Sequence, residues 1–247
     1  MKACFVAATF LAVLALPAAA LAAQALEDMP GVRQLHWVVG VRTLPVSGAI
    51  LTVPANAKLL IDPDVRKLQG ITGSNDATAE AELRLTRVGT IEYEFCNCGF
   101  TLTDDWSCVN ADEVADSIAR YYTAQGWDEV VGFARSPRFD RARAMITYLL
   151  HLRNDTRGDY FEGDALVFGR NGYETLVAGT RKGDADGTWA ALQTAIGAFH
   201  FPSGHAYGDY QTGDKTSANH VAAQFAEKAG ADDLVERYFY TCETQRT

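Results

Sequence analysis

The sequence predicts an α+β fold: a mostly antiparallel sheet with about three packed helices in a single domain. Three observations predict it. Runs of alternating apolar and polar residues recur along the chain, as strands half-buried against a core require. Turn signals rather than helices join several of these runs, which favours hairpins over the regular strand–helix alternation of a parallel sheet. Capped amphipathic segments lie between them. At 247 residues, 48% apolar and 21% charged, the chain has the material for a proper core. Lys plus Arg number 22 against 31 Asp plus Glu, a net charge of −9. That balance disfavours nucleic-acid binding through a basic surface, and equally a polybasic hold on anionic lipid.

The N-terminus reads as a targeting segment. Lys2 supplies a positive start, Phe5 to Leu16 an apolar stretch too short to span a bilayer, and Pro17 a break. Ala20-Leu21-Ala22 then offers small residues at a cleavage site, so residues 1–22 are expected to be a secretory signal peptide. Cys4 lies near its start, unlike a lipoprotein cysteine. The domain is expected over 23–230, its folded part from about Gly31, followed by a charged tail over 231–247 that carries Asp232, Asp233, Glu236, Arg237, Glu243 and Arg246. No later run approaches the ~18 apolar residues of a spanning helix. The expectation is a soluble periplasmic or secreted species, with any membrane association running through a partner protein.

Gly48–Val53 and Lys58–Ile61 read as a hairpin around Pro54-Ala55-Asn56, and Gly70–Ala79 as a surface loop. Val88–Cys98 alternates, with Ile91, Tyr93 and Phe95 on one side and Glu92, Glu94, Cys96 and Cys98 on the other. Glu129–Ala134 is a short strand, and Arg143–Leu152 alternates with Ile146, Tyr148, Leu150 and Leu152 on the apolar side. Asp164–Gly169 and Tyr173–Thr180 flank Asn171-Gly172, a pair that suits a tight turn with positive φ at both positions. Helices are expected over Asn110–Gln125, Asp186–Ile196 and Ser217–Ala229. The first has an Asn cap with Glu113 in capping-box position and Gly126 as its stop.

Removing Cys4 leaves Cys96, Cys98, Cys108 and Cys242, an even set that in an exported chain favours disulfides. The short polar segment Gly99–Ser107 can fold back, so one disulfide is expected between Cys108 and either Cys98 or Cys96, with Cys242 pairing with the remaining cysteine or staying a thiol. A redox reading of Cys96-Asn97-Cys98 is weaker, because Glu92 and Glu94 on the same face would raise a thiol pKa. For a metal, the Cys-x-Cys spacing is a poor zinc signal, Asp184-Ala185-Asp186-Gly187 is better explained as a helix cap than a calcium loop, and Asp104-Asp105 as a solvated turn.

Pro202-Ser203-Gly204-His205 copies the PSGH core of membrane-type acid phosphatases but lacks its partners: no Arg-Pro pair precedes it and Gln224 stands where an acid would follow His220. It reads as a turn after a strand ending at Phe201. Ser203 with His205 or His220 and an acid would make a hydrolase triad on paper, yet no G-x-S-x-G elbow aims a serine, and neither nucleotide-binding glycine motif occurs.

Several ordered pieces carry a family resemblance: Glu92-Tyr93-Glu94, Gly99-Phe100, Asp104-Asp105, Asn110-Ala111-Asp112, Val131-Gly132-Phe133, Pro137, Phe139-Asp140, Ala142, Phe168-Gly169-Arg170, Gly172-Tyr173, Gly204, Tyr207, Asp209-Tyr210 and Asp214. From about Gly48 to Ala223 the chain resembles the domain of unknown function 2167 family of bacterial proteins, predicted to be membrane-anchored. Phe133 and Phe139 stand where that family usually has Trp and Tyr, the cysteines are outside its pattern, and its usual C-terminal transmembrane segment is replaced by the charged tail. The resemblance implies an extracytoplasmic α+β domain and brings no catalytic residue, cofactor or substrate. The reading is a non-enzymatic envelope or periplasmic domain that binds an unknown envelope protein, without cofactor or nucleic acid; the alternative is a hydrolase assembled from dispersed His, Asp and Ser residues.

Overall fold

The computed structural model describes residues 29 and 31–244 apart from 74–77, 86–88, 157 and 181–183. The expected signal peptide, 1–22, lies outside the described residues. Strands run over Val41–Thr43 (β1), Ile50–Thr52 (β2), Ala57–Ile61 (β3), Ala79–Leu85 (β4), Gly89–Cys96 (β5), Glu129–Asp140 (β6), Met145–Asn154 (β7), Gly158–Phe168 (β8), Tyr173–Thr180 (β9) and Phe199–His200 (β10). Helices occupy Asp64–Thr72 (α1), Ala111–Gln125 (α2), Ala185–Ala198 (α3), Val221–Lys228 (α4) and Asp232–Thr244 (α5). The main sheet has seven strands in the order β3-β4-β5-β9-β8-β7-β6, and β1-β2-β10 make a small second sheet. Every pairing within both sheets is antiparallel, and the α+β class stands.

Alternation along the strands gives the main sheet two buried faces. On one, Ile146, Tyr148, Leu150, Leu166 and Phe168 pack against α2, α4 and α5 through Val114, Ile118, Val221, Phe225, Leu234 and Tyr238. On the other, Leu83, Ile91, Tyr93, Leu176 and Ala178 meet α3 and the small sheet through Leu192, Ile196, Leu51 and Phe199. A satellite core of Leu60, Val65, Leu68 and Val32 holds α1 at the β3 end. The β6 edge carries Pro137, which an edge strand tolerates because one row of its backbone groups has no ladder partner.

Local chemistry explains the helix starts. The Asn110 carboxamide oxygen accepts from the amides of Asp112 and Glu113 at 3.1 and 3.4 Å, and Asp184 caps α3 through the Asp186 amide at 3.1 Å. The helix expected from Ser217 begins only at Val221, because Ser217 N–H and Val221 N–H are already committed to the carbonyls of Phe100 and Leu102.

Four expectations are corrected. The Gly48–Val53/Lys58–Ile61 hairpin does not form: β2 pairs with β1 and β10, β3 with β4, so the Pro54 turn passes the chain from one sheet to the other. The β8–β9 hairpin forms, but as a four-residue connection in which Gly169 N–H donates to the Gly172 carbonyl at 2.7 Å and Asn171 keeps a negative φ. Residues expected within a loop extend α1 to Thr72. The expected charged tail instead folds as α5, with Ala231, Leu234 and Tyr238 buried.

Candidate functional site

The residues of the Gly204–Asp214 motif converge, and their polar atoms are spent on holding loops. Asp209 Oδ2 accepts from the amides of Gly204 and Ala206 at 2.8 and 3.0 Å, fixing the turn that carries Ser203 and His205. His205 N–H closes that turn onto the Pro202 carbonyl, as the turn reading expects. Arg170 grips Asp214 bidentately at 2.7 and 2.8 Å, tying the β8–β9 connection to the segment before α4. The guanidinium holds the Asp214 carboxyl below its ordinary value. Tyr207 donates to the Thr101 carbonyl at 3.0 Å and stacks on Phe100, which Tyr210 covers from 4.1 Å.

The hydrolase set does not assemble. Ser203 and His205 are exposed, and no hydrogen bond joins them to His220 among the described residues. His220 instead meets Asp104, Nδ1 to Oδ1 at 3.1 Å. Asp105 is no solvated turn: it is buried, and its Oδ1 accepts from Ala222 N–H at the start of α4. Ligand atoms of Asp104, Asp105 and His220 lie within 4.8 Å of one another. Asp105 is used at the start of α4 and Asp104 on His220, so local bonds within the loop and helix end account for the cluster.

Strand alternation assembles a feature that the sequence analysis missed. Glu82, Glu92, Glu94, Glu162 and Asp164 lie on one face of the main sheet, all buried, with Glu82 opposite Glu92 and Asp164 opposite Tyr148. Arg84 pairs with Glu82 and Lys228 with Glu94. Burial pushes the Glu162 carboxyl up to about 7 against the pull of Lys228. Burial, with Glu162 beside it, carries Asp164 well above its ordinary value. Glu162 Oε1, Asp164 Oδ2 and the Tyr148 hydroxyl make no hydrogen bond among the described residues. The signal was present as two Glu/Asp pairs spaced by two within strands, but reading it required knowing that both faces are covered.

Cys96 ends β5 and Cys98 lies just beyond it; both are thiols, so the disulfide expected between Cys108 and one of them is absent. Cys98 Sγ donates to the Cys96 carbonyl at 3.5 Å, and the Gln224 amide lies 3.9 Å from the same sulfur. The Cys98 thiol beside it lowers the Cys96 pKa, with help from the Tyr173 hydroxyl and Lys228, against burial and the Glu227 charge. The net direction is downward, where Glu92 and Glu94 were expected to raise it. Cys108 lies in the turn before α2 and Cys242 on α5, the latter's side chain outside the described residues.

Three valines, Val39, Val41 and Val46, are each 61% exposed on and beside β1, which has β2 alone as a ladder partner among the described residues. No helix among the described residues is long and apolar enough to cross a membrane.

Residues 43–232 match the family described as "Protein of unknown function (DUF2167)", and the chain belongs to that family. No curated protein matches. Among solved structures the chain is similar to the cyanobacterial PsbP protein, CyanoP, from Synechocystis sp. PCC 6803, at 12% identity and a TM-score of 0.41, over 67% of this chain and 94% of that one.

Proposed function

We propose that this member of an unknown-function family is an exported envelope or periplasmic domain that acts by binding a partner protein rather than by catalysis. The observation that carries the reading is the edge of β1, where Val39, Val41 and Val46 stand 61% exposed along a strand side that has no further ladder partner among the described residues. Such an edge offers main-chain hydrogen bonds and alternate side chains to an added strand. The use of Asp209, Asp214 and Tyr207 in loop-holding bonds supports the non-catalytic part. In this reading the disulfide of an exported chain falls to Cys108 and Cys242. Tyr238, one turn before position 242, accepts from Asn110 N–H at 3.3 Å, which brings that end of α5 against the segment holding Cys108.

A photo-reactive residue at position 41 tests the reading in living cells, with position 236 on the exposed side of α5 as control. The expected result is one discrete protein adduct at 41, none at 236, and loss of the adduct when Val39 and Val46 become lysine. Equal labelling at both positions, or ester hydrolysis by the purified chain that His220→Ala abolishes, overturns it.

A further inference from the structure

The end of β5 brings together features that neither the sequence motifs nor the partner-binding reading uses. The main sheet stops at Cys96, and the chain then bends back so that Cys98 Sγ lies 3.5 Å from the Cys96 carbonyl. In an ideal strand two side chains spaced by two are about 7 Å apart. Here the bend instead turns the Cys98 sulfur back onto residue 96, where it bonds the Cys96 carbonyl, while the Gln224 amide lies 3.9 Å from the same sulfur. Both are partly exposed, and Asn97 between them is exposed. Around the pair stand Tyr173 from β9, Gln224, Glu227 and Lys228 from α4, and Glu94 one step back along β5, which Lys228 engages. Among the described residues, no His, Cys, Asp or Glu completes a compact three-ligand metal group here. Two sulfurs at Cys-x-Cys spacing are a poor zinc pair and suit sulfur chemistry better.

We propose that Cys96 and Cys98 form a thiol–disulfide exchange site, with Cys96 the attacking sulfur and Cys98 the resolving one, that reduces a disulfide presented by another molecule. The Cys96 thiolate attacks one sulfur of R–S–S–R. An S–S bond forms between Cys96 and one RS group; the other leaves as thiolate and takes up the proton released by the Cys96 thiol. Cys98, losing its own proton, then attacks Cys96 Sγ and expels the second RS group, which is protonated. The external disulfide gains two electrons and becomes two thiols, and the protein dithiol loses two and becomes a Cys96–Cys98 disulfide. The Cys98 side chain, the Tyr173 hydroxyl and Lys228 favour the Cys96 thiolate, while burial and Glu227 oppose it. A ring closed across one intervening residue is a strained disulfide, the labile kind that exchange sites use.

The full chain, with its other cysteines intact, is treated with oxidised glutathione in one arm and a disulfide-linked peptide dimer in the other. Aliquots are acid-quenched and mapped by non-reducing peptide mass spectrometry. The expected products are a transient adduct on Cys96 and then a Cys96–Cys98 disulfide. In Cys98→Ser the Cys96 adduct accumulates, and in Cys96→Ser labelling of the remaining thiol slows by tenfold or more. Circular dichroism confirms that both variants are folded. A faster reaction with the peptide marks a protein disulfide as the source, and a faster one with glutathione a small-molecule disulfide. A first adduct on Cys98, or no Cys96–Cys98 disulfide with either probe, overturns the proposal. Neither result touches the β1-edge reading, whose test uses different positions.

Discussion

At position 172 the connection between β8 and β9 passes against the end of β5, and a Cβ there would fall on the Cys96 carbonyl oxygen. The sequence pointed to the same glycine for its tolerance of positive φ; the structure adds that there is no room for any side chain. Gly172→Val is expected to lower stability by about 2 kcal/mol or more, read from the urea midpoint, whereas Gly179→Ala, where a Cβ meets nothing within 4 Å, should stay within about 0.5 kcal/mol. An unchanged midpoint for Gly172→Val would show that the β5 end is not packed as described. Position 113 shows the opposite lesson. Glu113 follows Asn110 at capping-box spacing, yet its carboxylate pairs with Arg237 on α5, so half of that box is replaced by a contact between helices distant in sequence.

Among the elements, α5 departs most from its sequence reading. The six charged residues over 231–247 describe a solvated tail, but among the described side chains only one side of the helix is solvated. Leu234 and Tyr238, one turn apart, enter the core shared by α2, α4 and the sheet. Ser117 and Arg120 on α2 hold Asp233, and Arg237 reaches Glu113. Leu234→Ala should therefore cost about 2–4 kcal/mol, while Glu236→Ala on the exposed side should cost less than about 0.5 kcal/mol. Equal, small effects in thermal or urea unfolding would return α5 to the status of a tail. The amphipathic spacing of Leu234, Val235, Tyr238 and Phe239 was legible. What it packed against was not.

For the whole molecule, the acidic layer across the main sheet couples stability to pH. Glu162 titrates at about 7 in the fold against 4.5 for an ordinary glutamate, so the folded chain binds more protons than the unfolded one between those values. Its contribution is fully present below the unfolded pKa and is lost as pH rises through the folded one. Asp164, raised by burial and by Glu162, shifts in the same direction. Stability is expected to fall between pH 5 and 8. Glu162→Gln should remove roughly 1–3 kcal/mol of that fall while matching the parent near pH 5. Melting curves at several pH values check both, and a parent whose stability rises steadily to pH 8 would exclude the assignment. The overall balance of −9 gives no hint of this, because net charge says nothing about which carboxylates are covered.

The linear chain carries what local physics controls. It set the α+β class, the alternation of β5 and β7, the β8–β9 hairpin, the Asn110 and Asp184 caps and the turn that carries Ser203 and His205, each of which depends on a few neighbouring residues. Family membership too was legible, because ordered short motifs survive in linear form. Tertiary structure alone decided which surfaces are covered and which distant residues meet. Strand order placed β2 and β3 in different sheets, folded α5 onto α2, and left Cys96 and Cys98 beside each other rather than bridged to Cys108. The same burial raised the carboxyls of Glu162 and Asp164 on one polar strand face above their ordinary values, through desolvation that no linear pattern encodes.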